Sequence, residues 1–389
     1  MSLSDDYVKA GAAALGRGDA PAAREQFSMA VAAGRKDGPA LLGLARACEL
    51  LKDQAGRIAA VDQLLAVEPR HLPALILRGD LFAAVGDTRS ASAYYLAALK
   101  VAPPAEQLPP GLVRELKRVQ QACAAYSEQY KSWIGERMAA SGFDAKTSSQ
   151  RFAQSLDIVL GRKKIYVQEP KYYYFPALPQ IQFYEREAFP WLSQLEAATD
   201  EIRNELLGVL DQPGTFAPYV QGDSNRPYKA QMGMLNNPAW SAFYLWKNGD
   251  PVPENAARCP RTLEVLRDLP LARVPMRSPA ILFSLLKPGA RIPPHHGLVN
   301  TRLICHLPLI VPGRCGFRVG NDVREWEVGK AWVFDDTIEH EAWNDSDQTR
   351  VILLFDVWRP ELTLEEQGLV TALFDAIDAH SGTKPDWQI

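Results

Sequence analysis

Arg302-Leu303-Ile304-Cys305-His306-Leu307-Pro308-Leu309-Ile310 alternates two kinds of side chain. Successive strand residues point to opposite faces, so a strand here puts Leu303, Cys305, Leu307 and Leu309 on one side. Arg302, Ile304, His306 and Pro308 share the other. An all-apolar face belongs against a core; a face that mixes Arg and His with apolar residues fits the wall of a site. Neighbouring stretches read the same way: 281–286, 317–319, 325–334 and 350–358 are strand-like. Turn residues separate them at Pro288-Gly289, Pro312-Gly313, Gly320-Asn321-Asp322 and Asn344-Asp345-Ser346. Many short strands with regular turn punctuation predict an antiparallel sandwich or barrel. Arg350 opens an otherwise apolar strand and needs an acidic partner, either a structural carboxylate such as Asp347 or Asp356 or the carboxylate of a ligand. Ser284 interrupts another apolar strand, a position that alone fits a core hydroxyl bonded to backbone.

Upstream, residues 192–211 read as one helix, with Leu192, Leu195, Ile202, Leu206, Leu207 and Leu210 at helical spacing. Downstream, 362–381 reads as a closing helix carrying Leu364, Leu369, Leu373 and Ile377. The first 103 residues differ in texture: rich in Ala and Leu, they repeat every 34 residues. Gly11, Ala45 and Gly79 keep this spacing, as do Phe27, Val61 and Tyr95, Ala30, Leu64 and Ala98, and Pro69 with Pro103. Gly18-Asp19, Lys52-Asp53 and Gly86-Asp87 supply the turns. This period, with small residues at a helix crossing and a closing Pro, resembles the tetratricopeptide repeat. A long helical pattern to about residue 140 suits the cap that a solenoid end requires. The organisation expected is a helical repeat domain at 1–140, a linker or helix at 141–164, and a second domain at 165–389.

The chain has 389 residues, 47% of them hydrophobic, with 43 basic and 46 acidic side chains for a net charge of −3. Such balance offers no footprint for a polyanion and disfavours nucleic-acid binding. The N-terminus lacks a secretory pattern, and no apolar run is long enough to span a membrane. Five cysteines without CxxC spacing read as reduced thiols of a cytoplasmic protein, Cys259 and Cys315 being the candidates for exposure.

Only six histidines occur, and His295, His296, His306 and His340 fall within one short stretch. Singly, each fits a satisfied or exposed histidine; clustered, they suggest a metal site, since imidazole is the commonest protein ligand for iron, copper and zinc. The ordered run Pro294-His295-His296-Gly297, Asn300-Thr301-Arg302-Leu303, His306-Leu307, Trp326, Gly329-Lys330, Phe334-Asp335-Asp336-Thr337, His340-Glu341, Trp343-Asn344, Arg350 and Asp356-Val357-Trp358-Arg359-Pro360 resembles the aspartyl/asparaginyl β-hydroxylase family. The resemblance covers about 165–365. It implies a double-stranded β-helix, or jelly roll, and an iron(II)- and 2-oxoglutarate-dependent dioxygenase that uses O₂. It makes His295 and His340 the iron ligands, with His296 a neighbour. Arg350 and Ser284 then hold the far carboxylate of 2-oxoglutarate, and His306 lies near the carboxylate that chelates iron. Arg302 becomes a substrate-binding residue.

Most such oxygenases add a carboxylate two residues after the first His; here Gly297 stands there, as the resemblance also implies. A water held by Asp335 or Asp336 could fill that position, and Asp336 is the candidate to hold it. Ile304 occupies a position where relatives acting on aspartyl residues carry a second basic residue. The substrate expected is an Asp- or Asn-type residue of a peptide or protein held by the repeats. The alternatives are a non-peptide substrate, and a non-catalytic adaptor built from repeats and a cupin.

Overall fold

A computed structural model describes residues 3–221 and 233–381, and its contacts divide the chain into two units, Met1–Ala153 and Gln154–Ile389. In the first unit, α1 (Leu3–Gly16) and α2 (Ala20–Ala32), α3 (Gly38–Leu50) and α4 (Gln54–Val67), and α5 (Leu72–Ala84) and α6 (Thr88–Val101) form three helical hairpins, as the repeats predict. The 34-residue spacing has a local cause. Gly18, Lys52 and Gly86 all adopt positive φ, and the Asp that follows each caps the next helix, accepting from the backbone amides of Ala22, Gly56 and Ser90. Each such cap contributes about 1 kcal/mol. Gly11 and Gly79 leave room for the rings of Phe27 and Tyr95, both buried. The expected capping helix is α7 (Pro110–Ala140), which packs on α5 and α6. The stretch left open between linker and helix contains α8 (Gln150–Val159).

The second unit is built on antiparallel strands. The ladder of one sheet runs β1 (Ala217–Pro218), β2 (Trp240–Lys247), β4 (Ile281–Leu286), β11 (Arg350–Trp358), β6 (Arg302–Ile310) and β9 (Trp332–Phe334), with β3 (Asp250–Pro251) paired to β2. The other holds β5 (Arg291–His295), β10 (His340–Asn344), β7 (Cys315–Val319) and β8 (Asp322–Glu325). The alternation in β6 is realised as expected. Leu303, Cys305, Leu307 and Leu309 join the core that the larger sheet shares with α9 (Leu192–Ala197), α10 (Thr199–Leu210) and α12 (Pro260–Leu266). The short α11 (Pro253–Ala256) precedes α12. Ile304 and Ile352, on the other face of that sheet, meet Phe317, Val319 and Ala342 from the smaller one.

Several expectations change. The single helix 192–211 is two, because Ala198 leaves helical geometry at φ −90°, ψ 6°, and Leu207 is exposed. The single strand 325–334 is β8 and β9 on different sheets. The chain crosses between them through Gly329, which takes positive φ and donates its amide to the Pro308 carbonyl at 3.0 Å. In the closing helix α13 (Leu364–Ser381), Val370 and Phe374 are buried, whereas Leu364, Leu369, Leu373 and Ile377 face solvent. Cys259 and Cys315 are buried. Among the described residues no helix is long and apolar enough to cross a membrane.

A buried polar network ties residues 168–184 to this unit. Arg359 Nη1 donates to Asp335 Oδ2 at 2.8 Å, with both side chains wholly buried. Arg359 also donates to the Pro179 carbonyl and to the Tyr184 hydroxyl. Gln168 bridges Asp335 and Asn300, and Asn300 donates to the Phe175 carbonyl.

Removing one member of a buried ion pair strands the other, at a cost of about 3–5 kcal/mol. Arg359→Ala should therefore lower the unfolding free energy of the β unit by that amount, seen as an earlier denaturant midpoint, and an unchanged midpoint would refute the role. In the helical unit, a Cβ at Gly79 presses into the Tyr95 ring. Gly79→Val should cost about 1–3 kcal/mol of overpacking, seen by circular dichroism as earlier loss of helix.

Candidate active site

The register of β5 and β10 sets His295 directly opposite His340, and their ring centroids are 4.1 Å apart. Each ring is oriented by the backbone two residues before it. His295 Nδ1 lies 2.8 Å from the Pro293 carbonyl, and His340 Nδ1 lies 3.1 Å from the Ile338 carbonyl. A carbonyl only accepts, so each Nδ1 carries the proton and each Nε2 keeps its lone pair. Burial lowers both imidazoles, His295 to about 4 and His340 well below its usual range. Both are neutral near pH 7, the state a metal ligand requires. His296 is not among the residues lining the cavity into which His295 and His340 project.

That cavity has a volume of about 90 Å³ and lies on the inner faces of the two sheets. It gathers Ser284, His295, Arg302, His306, Asp336, His340 and Arg350, every site residue expected from the sequence. It also brings in Tyr219, Trp240, Tyr244 and Trp326, which the sequence reading did not assign to the site. Their signal was faint: β2 was not recognised as a strand, so the inward positions Trp240 and Tyr244 had no face to be placed on.

Arg350 is 1% exposed and has no carboxylate within ion-pair distance among the described residues. Its Nε has no hydrogen-bond partner, and Nη1 reaches only the Ser284 carbonyl at a long 3.5 Å. The guanidinium lies 4.5 Å from the centre of the Trp326 ring. Burial lowers its pKa to about 10, which still leaves it charged at neutral pH. Asp356, one of the two structural partners considered for it, instead faces Arg302 at 3.6 Å and accepts from the Ala280 amide. On β4, Ser284 pairs across the sheet with Ile352, and its hydroxyl accepts from Trp240 Nε1 at 3.2 Å. Its own proton is free to donate. His306 packs edge-on against Phe334, with Nδ1 unpartnered among the described residues.

Asp335 and Asp336 separate cleanly. Asp335 belongs to the Arg359 network. Asp336 turns into the cavity and accepts from Arg302 Nη1 at 3.0 Å, leaving Oδ1 unpartnered. Burial raises its carboxyl to about 6 against the pull of Arg302. A Cβ at Gly297 would collide with this carboxylate, and the Gly297 amide donates to the Asp336 carbonyl at 2.6 Å. The Asp336 carboxylate thus fills the space that a side chain at residue 297 would take. Among the described residues no three His, Cys, Asp or Glu side chains converge as a ready-made metal cage. The convergent pair is His295 with His340, which leaves further positions on a metal to other ligands.

The family model for aspartyl/asparaginyl beta-hydroxylase matches residues 196–360. The chain is 35% identical to the human aspartyl/asparaginyl beta-hydroxylase over 201 residues, 48% of this chain and 25% of that protein. It is 34% identical over 180 residues to the ornithine lipid ester-linked acyl 2-hydroxylase of Rhizobium tropici, covering 46% of this chain and 60% of that one. The chain therefore spans a quarter to three fifths of the length of these relatives. The first tetratricopeptide domain of human RPAP3 overlaps 32% of this chain and 94% of its own at 19% identity, with a TM-score of 0.27. His295, His340, Arg350 and the whole Arg359–Asp335 network except its residue-168–184 arm lie inside the matched stretch, and it is through this stretch that the chain is similar to the aspartyl/asparaginyl β-hydroxylase family.

Proposed function

We propose that this protein is an iron(II)- and 2-oxoglutarate-dependent hydroxylase. The observation that carries the reading is Arg350, a buried guanidinium that lines the cavity and, among the described residues, has no carboxylate within ion-pair distance. An unpaired buried cation is costly, and a planar fork of donors matches the two oxygens of a carboxylate. The far carboxylate of 2-oxoglutarate fits that place, with the free Ser284 proton as a further donor. Two neutral imidazoles with free Nε2 atoms fit a metal that takes its other ligands from cosubstrate and water. When bound, iron and 2-oxoglutarate together supply the oxidising chemistry that hydroxylates an unactivated C–H bond.

The chain's own residues do the rest. The Pro293 and Ile338 carbonyls hold the two imidazoles in one tautomer. Asp336, above Gly297, offers Oδ1 as acceptor to a water at the metal. Phe317, Phe334 and Trp326 form an aromatic wall that limits water around the centre. The substrate we favour is an Asp- or Asn-type residue of a peptide or protein, with the helical repeats as its holder. A non-peptide substrate is the second reading, supported by similarity to a lipid acyl hydroxylase.

Titrating 2-oxoglutarate into the manganese-loaded protein tests the site. Losing the cation should cost about 3–5 kcal/mol, so Arg350→Ala should weaken the cosubstrate by roughly two to three and a half decades. Ser284→Ala should weaken it by about one to two decades, the loss of one charge-assisted bond. A folded Arg350→Ala protein with wild-type affinity would sink the proposal and favour a non-catalytic binding protein.

Metal binding itself should be lost in His295→Ala and in His340→Ala but kept in His296→Ala. The opposite pattern would show that the ligands are misassigned. A chain beginning near residue 150 should keep 2-oxoglutarate binding and lose affinity for a protein substrate; undiminished substrate affinity would remove the repeats from the reading.

A further inference from the structure

Strand β11 gives the cavity two unlike ends. Its residues Arg350, Ile352, Leu354 and Asp356 all line the space. Six residues of strand span about 20 Å, so Arg350 and Asp356 stand far apart with an apolar stretch between them. Arg302 and Asp336 gather at the Asp356 end, with the rings of Tyr219 and Tyr244 6.3 Å apart beside them.

The charges there are already matched. Arg302 Nη1 is 3.6 Å from Asp356 Oδ1, and each can neutralise the other. Arg277, another cation lining the cavity, is ion-paired with Asp378 on α13. On the proposed reading, which this inference rests on, a divalent metal, Asp336, dianionic 2-oxoglutarate and Arg350 also cancel. Among the described residues, every charge lining the cavity then has a counter-charge before any substrate arrives. A charged substrate group would be the only uncompensated one, and burying it is costly. Ile304, on the same face as Arg302 and His306, adds apolar surface where a second cation would welcome an anion.

We infer that this site takes an uncharged substrate group, a carboxamide or an aliphatic segment: of the Asp- and Asn-type residues favoured above it accepts the Asn type, because Asp336 and Asp356 already answer Arg302 and Ile304 adds no further cation for the carboxylate of an aspartyl residue. Asp356 is thus a specificity-determining residue: as the second counter-charge to Arg302, beside Asp336, it leaves no net positive charge to hold an acidic side chain.

The test is equilibrium binding, read as tryptophan fluorescence of the full chain loaded with manganese(II) and 2-oxoglutarate. The probes are the N-acetyl amides of asparagine, leucine, aspartate and lysine. The asparagine and leucine probes should bind at least tenfold more tightly than the other two. Asp356→Asn keeps an acceptor for the Ala280 amide and removes one of the two counter-charges of Arg302, leaving one positive charge in excess, so it should tighten the aspartate probe at least tenfold. Ile304→Arg, which leaves the ion pair in place, should do the same and serves if Asp356→Asn does not fold. Wild-type preference for a charged probe, no binding of either uncharged probe, or no gain in a folded variant overturns the inference. The 2-oxoglutarate titration comes first: its failure marks failure of the parent reading, which takes this inference with it.

Discussion

Arg302, Arg350 and Arg359 are all buried in the β unit, yet they differ in what faces them. Arg359 has Asp335, and Arg302 has Asp336 and Asp356; Arg350 has an aromatic ring and a distant carbonyl. The low-dielectric interior makes each of these charges expensive unless answered. That requirement organises the surroundings. It brings Asp335 to the 168–184 arm, where Arg359 also collects a backbone carbonyl and the Tyr184 hydroxyl. It turns the adjacent Asp336 the other way, into the cavity. Two consecutive acids in one turn thus serve opposite faces, one bracing the scaffold and one lining the site.

Strand register converts this charge arrangement into a site. In the smaller sheet, His295 and His340 face each other across one ladder step. In the larger sheet, Arg350 and Ser284 lie on adjacent strands with their neighbours Leu286 and Ile352 as partners. A shift of one residue in either sheet would send these side chains to the opposite face. The apolar residues alternating with them, Ile292, Ile304, Ile352 and Ala342, are buried between the sheets and oppose such a shift. The residues that hold the register are therefore the neighbours of the residues that do chemistry.

How much of this was legible in the sequence depends on how local each signal is. The alternation in 302–310 stated which residues share a face, because a two-residue period is a property of the strand alone. The repeat register was legible because each turn residue and its Asp cap act within four residues of one another. The site residues clustered in one ordered run and could be named. By contrast, the break at Ala198 and the crossing at Gly329 were missed, since hydrophobic spacing continues through both. The exposure of Leu369, Leu373 and Ile377 was likewise invisible, because which face of an amphipathic helix is covered depends on its neighbours.

By itself, then, the sequence determined the helical repeats, the strand-rich second unit, the pair of histidines and the presence of an arginine needing an anion. Only the tertiary structure decided which acid answers which arginine. Asp335, Asp336 and Asp356 are alike in chemistry, and pairing depends on where strands far apart in the chain bring their side chains. Among the described residues it brought no carboxylate within ion-pair distance of Arg350, although Asp347 and Asp356 lie close to it in the sequence.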